Sequence, residues 1–175
     1  MQEQSLELST LEGIESRAQG RLAVWGRRGF LLLLLAFVAA GLSGVLGVRT
    51  TTSTAEQDGW SVSVEHASIS RAGLDSPFEV TVTHPGGFGK ELTLALTGSY
   101  FDIFESQGFF PEPSDETRDG ETLYLTFAAP AGDTFVLAFD AYVQPASQVG
   151  RSGTVAVVDD GERVAGVGFR TVLLP

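Results

Sequence analysis

The stretch FVLAFDAYV, residues 135–143, sets Phe135, Leu137, Phe139, Ala141 and Val143 at every second position. Successive side chains of an extended chain point to opposite sides, so a period of two buries one face of a strand, whereas a helix needs spacings of three and four. The same period recurs on both sides. Trp60, Val62 and Val64 alternate with Ser61, Ser63 and Glu65, and Phe78, Val80 and Val82 with Glu79, Thr81 and Thr83. Leu92, Leu94 and Leu96 form another run, as do Leu123, Leu125 and Phe127; Val155–Val158 and Val164–Leu173 complete the set. Turn residues separate them at His84-Pro85-Gly86-Gly87, Pro130-Ala131-Gly132-Asp133 and Gly150-Arg151-Ser152-Gly153. Asp159-Asp160-Gly161-Glu162 joins the last two runs and suits a type I turn followed by a glycine in the left-handed region. About seven short strands over residues 60–175 predict an all-β fold, an immunoglobulin- or fibronectin-like β-sandwich, with a small closed barrel as the alternative architecture. With no cysteine in the chain, core packing alone must hold this domain.

Upstream the pattern changes. Phe30 to Val48, FLLLLLAFVAAGLSGVLGV, runs 19 residues without a charge and with one hydroxyl, Ser43. A helix of that length covers about 28 Å, close to the hydrocarbon thickness of a bilayer. No polar face interrupts it, so the expectation is one transmembrane helix at 30–48. Arg17, Arg21, Arg27 and Arg28 precede the span, whereas Arg49 is followed by nothing basic until Arg71. Basic residues collect on the cytoplasmic side, so residues 1–29 are expected inside and the strand-rich part outside, with Trp25 near the inner interface. A cleaved signal peptide shares this outline, but the apolar run exceeds the usual ~7–15 residues and the polar leader is long. The run from Thr50 to Gly59 is polar and predicts a tether over residues 49–59.

Within the span Ala36, Ala40 and Gly44 recur every four residues, and Ser43 with Gly47 makes a second pair. Small residues at that spacing let helices approach closely, offering a homodimer or a dock for another membrane protein, though Gly and Ala are also ordinary constituents of membrane helices. In the leader, Ser9 followed by Glu12 reads as a capping box, and Leu11, Ile14 and Ala18 would share a face. So short a helix is marginal alone, and a mostly disordered tail is expected.

Between Leu96 and Leu123 the alternation fails, and the intervening segment is longer than most connections in compact domains. It carries Tyr100, Phe101, Phe104, Phe109 and Phe110, then Glu112, Asp115, Glu116, Asp119 and Glu121. Two roles are open. The aromatics can plug the end of the sandwich beneath a solvated acidic run, or they can form a recognition surface with an acidic rim for a protein or an oligosaccharide.

Composition excludes several functions. With 22 Asp and Glu against 11 Lys and Arg, the net charge is -11, which argues against nucleic acid as a partner. Absent cysteine removes thiolate nucleophiles and Cys-based metal sites. The two histidines, His66 and His84, sit in a strand and a turn, and no HExxH, calcium-loop or P-loop spacing occurs. The acidic stretches at Asp115–Glu121 and Asp159–Glu162 lack the calcium-loop pattern and read as solvated tips. No catalytic residue, metal ligand or cofactor is expected.

The segments WSVSVEHASISRAGLDSPFEVTVTHPGGF, PAGDTFVLAFDAYVQP and GRSGTVAVVDDGERVAGVGFRTVLLP, behind a Leu-rich span, resemble small single-span membrane proteins of high-GC Gram-positive bacteria. The resemblance lies in overall texture and implies no activity or site residue. The expected role is a membrane-anchored, non-catalytic binding or scaffolding subunit for another envelope or integral membrane protein. A small-ligand or metal-binding module and an envelope hydrolase are the alternatives.

Overall fold

The computed structural model describes residues 21–44, 47–105, 108–128 and 130–174; the leader helix expected to open at Ser9 lies outside them. The chain divides into two units, Met1–Val45 and Leu46–Pro175.

In the first unit, α1 spans Arg21–Leu42. Its segment Leu22–Leu42 has mean hydropathy 1.8 and none of it is buried within the protein, so this helix is long and apolar enough to cross a membrane. Its bounds differ from the expected 30–48. It starts nine residues before Phe30, because Leu22, Ala23, Val24 and Trp25 prolong the apolar character and Arg27 and Arg28 are good helix formers. It stops at Leu42, where Ser43 Oγ donates to the Ala40 carbonyl at 2.9 Å and the Gly44 amide bonds Gly41 O at 3.2 Å. Gly44, with φ 70°, takes the left-handed conformation that ends helices. Of the small-residue candidates, therefore, Ala36 and Ala40 lie on α1 and Gly44 does not.

The second unit is all-β. Its strands are β1 (Arg49–Gln57), β2 (Trp60–Arg71), β3 (Asp75–Ser76), β4 (Phe78–Thr83), β5 (Glu91–Thr97), β6 (Phe109–Phe110) and β7 (Asp115–Asp119). They continue as β8 (Thr122–Ala128), β9 (Thr134–Phe139), β10 (Ala141–Tyr142), β11 (Ser152–Asp159), β12 (Glu162–Arg170) and β13 (Val172–Leu174). One sheet runs β1-β2-β4-β9-β6, with β13 parallel to the end of β2; the other runs β12-β11-β5-β8-β7, and β3 pairs with β10. The seven periodic runs are β2, β4, β5, β8, β9, β11 and β12, and their alternate apolar residues form one core between the sheets. Val62, Val64, Val80, Val82, Leu94, Leu125, Leu137, Val155 and Val157 are fully buried there. Aromatic rings join the layers, Phe78 with Phe169 at 5.6 Å and Phe127 with Phe135 at 4.7 Å between centroids. This is a β-sandwich.

The expected tether at 49–59 is instead strand β1 with its turn. Arg49–Gln57 pairs antiparallel with β2, in one register from Thr50↔Ala67 to Gln57↔Trp60 and with a one-residue shift at Arg49↔Ile69. Four threonines favour extended backbone, and Asp58-Gly59, at φ 51° and 84°, closes a two-residue hairpin. Asp160 and Gly161 do the same at φ 49° and 80° between β11 and β12. Both central residues are left-handed there, a type I′ turn that follows the strand twist, rather than the expected type I turn with a following glycine.

Candidate functional site

The aperiodic segment after β5 begins as a 3-10 helix, Gly98–Ile103, and the Gly98 amide bonds Glu121 O at 2.7 Å, which closes the base of the insert. Its far end is fastened by Gln144. The Gln144 amide donates to Ile103 O at 3.0 Å, and its side chain donates to Phe104 O at 2.6 Å and Asp102 O at 3.2 Å. Unpaired carbonyls at the end of this helix are thereby satisfied without water.

The five aromatic candidates separate into three environments. Tyr100 and Phe104 are core residues, 1% and 3% exposed. Tyr100 packs within 4.8 Å of Phe169 and 5.6 Å of Phe78, measured between centroids. Its Oη lies 2.8 Å from Thr171 Oγ1, which donates to Ala67 O at 2.6 Å. The threonine proton is committed to that carbonyl, so the tyrosine is the donor in their bond. Burial pushes the Tyr100 phenol up to about 12 from 10.0, against the smaller opposing effect of its bond to Thr171. Phe101 and Phe109 are half-buried and stack edge to face at 5.3 Å, with Phe139 of β9 5.1 Å from one and 4.9 Å from the other. Phe110 stands alone, 78% exposed. The plug and the recognition surface are thus different residues of one insert: Tyr100 and Phe104 fill the core, and only Phe101, Phe109 and Phe110 reach the surface.

Those three rings border two adjoining depressions. One, of about 370 Å³, lies between Phe101, Phe109 and Phe139 on one wall and Glu116, Arg118 and Leu123 on the other. The second, of about 610 Å³, is lined by Phe109, Phe110, Pro111, Glu112, Pro113 and Glu116. Strand β7 is exposed along its whole length, which puts the acidic run in solvent. Arg118 lies against Gly98, where a Cβ would stand 2.9 Å from its Nε; glycine leaves room for the guanidinium over the backbone.

Neither histidine belongs to this site. His66 is 2% exposed, with Nδ1 3.4 Å from Val64 O and its ring 5.2 Å from that of Phe169. His84 stacks on Trp60 at 4.0 Å, and its Nδ1 lies 3.2 Å from Gly59 O, beside the hairpin that joins β1 to β2. Among the described residues, no three His, Asp or Glu side chains come close enough to hold a metal ion.

The participation of Phe139 was not legible in the sequence, where it is one more inward residue of a regular strand. Its exposure to the groove follows from the insert's packing against β9. No protein-family model matches the chain, and no curated protein sequence does either.

Proposed function

We propose that the protein is a single-span membrane protein, its N-terminus cytoplasmic, whose extracytoplasmic domain holds another envelope or integral membrane protein and performs no chemistry. The apolar helix and the arginines ahead of it support this placement. The sheets β2-β4-β9 and β12-β11-β5-β8 have the strand count and the repeated crossing between layers of an immunoglobulin- or fibronectin-like sandwich.

The observation that carries the reading is Phe110, 78% exposed beside the aromatic groove. A large aromatic left in water next to a concave apolar wall is the arrangement of an interface anchor. The test is a photoreactive residue placed at Phe110 in intact cells, with Thr81 on the outer face of β4 as control. Position 110 should crosslink one envelope protein and position 81 should not. Equal, diffuse labelling from both positions would count against a binding role.

A further inference from the structure

Resting on that reading, we infer that the partner contributes an extended strand, flanked by lysine or arginine, which pairs with the free edge of β9 at Thr134–Leu137. Strand β9 is bonded to β4 along Thr134–Ala138, but on its other side β6 covers only Ala138 and Phe139. Among the described residues no strand lies against Thr134–Leu137 on that side. The reason is Pro111. It follows the two residues of β6 directly and has no N–H to continue the ladder, so β6 ends where the β9 edge begins.

Edges left open in this way are usually blunted by charge, proline or a bulge, because a row of unpaired amides and carbonyls is a template for another strand. The molecule does this at β7, whose sequence DETRD is fully exposed and has one uncharged residue. It does not do so at β9, where TFVL carries no charge and Val136 is 42% exposed. An unguarded edge beside an exposed phenylalanine matches strand addition, in which main-chain bonds supply affinity and neighbouring pockets supply specificity. A partner strand would lie in line with β6 and meet Phe110 at its end.

Charge selects the occupant. Asp133 and Asp140 bracket β9, and Glu105 and Glu112 flank β6, all exposed. Arg118, which lines the groove, lies against Gly98. A second copy of this chain would bring the same carboxylates and a net charge of -11 against them. A strand with basic ends meets them favourably.

The test uses the full chain in detergent micelles and a synthetic peptide of alternating threonine and valine with two lysines at each end. Exchange of the alternate amides within Thr134–Leu137 that point away from β4 should slow about tenfold on adding the peptide, while β7 is unaffected. A twin peptide, N-methylated at alternate residues, keeps side chains and charge but cannot complete the ladder, and should neither bind nor protect. Val136→Lys, at an exposed position, should abolish protection with an unchanged melting temperature. Unchanged exchange in β9, or equal binding of the methylated twin, would overturn the inference. A specific crosslink from position 110 alongside either result would show that a partner exists and binds without strand pairing. Absence of that crosslink with peptide pairing intact would instead strike the proposed function alone.

Discussion

At Tyr100 a single side chain ties the aperiodic insert, through its hydroxyl, to Thr171 between β12 and β13. Its bond to Thr171 and onward to Ala67 O links three segments far apart in sequence. Replacing it as Tyr100→Phe keeps the ring and removes one donor, while Thr171 still donates to its carbonyl. The expected loss is about 1 kcal/mol at neutral pH. Alkaline pH gives a sharper test. The folded phenol titrates near 12 and the unfolded one near 10.0, so the unfolded state releases its proton first. Stability should therefore be level below pH ~10 and fall as pH rises toward the folded value, by up to roughly 3 kcal/mol. Urea midpoints at pH 7, 9.5 and 11.5 should show this extra fall in the parent and not in Tyr100→Phe; parallel profiles would refute it. The aromatic residues of this insert were visible as a group in the sequence. Their division into core and surface was not, because each ring's exposure depends on partners such as Phe78, Phe139 and Phe169 on other strands.

Strands that place large apolar residues in the core announce themselves, and edge strands need not. The runs at β2, β4, β5, β8, β9, β11 and β12 set buried residues largely at alternate positions, with half-buried or exposed ones between them. Strand β1, RTTTSTAEQ, has no buried residue, so no hydrophobic period could reveal it. What holds it is nine residue pairs with β2 and the Asp58-Gly59 turn, which with the threonine-rich composition is the local clue that a strand precedes Trp60. A fragment of residues 46–175 should consequently melt at least about 10 °C above one of residues 60–175, since the shorter piece strips β2 of its neighbour on one side. Equal melting temperatures would mean that β1 is an ornament. Strand β7 escapes sequence reading for the same reason. Helix α1 was foreseen in kind but not in extent, because the C-terminal stop depends on the backbone conformation of Gly44 and not on hydropathy.

For the whole molecule, the proposed single-span topology makes a separate prediction for each unit. The chain contains no cysteine, so single substitutions report position without further engineering. Gln148→Cys, in an exposed turn before β11, should react with a membrane-impermeant maleimide in intact cells. Gln4→Cys, ahead of the arginines, should react only after lysis. The opposite pattern would invert the topology, and labelling of both in sealed cells would remove the membrane span.

Hydropathy and period two were enough to foresee an apolar helix and an all-strand domain, since both patterns are local and are written in consecutive residues, whereas the choice of a sandwich over a closed barrel was left to the folded chain. The edges were a matter for the folded chain. Whether a strand has a neighbour depends on where distant segments end, as Pro111 ends β6 and so bares Thr134–Leu137. The same holds for Phe110, 78% exposed while Phe101 and Phe109 of the same insert pack against each other and against Phe139.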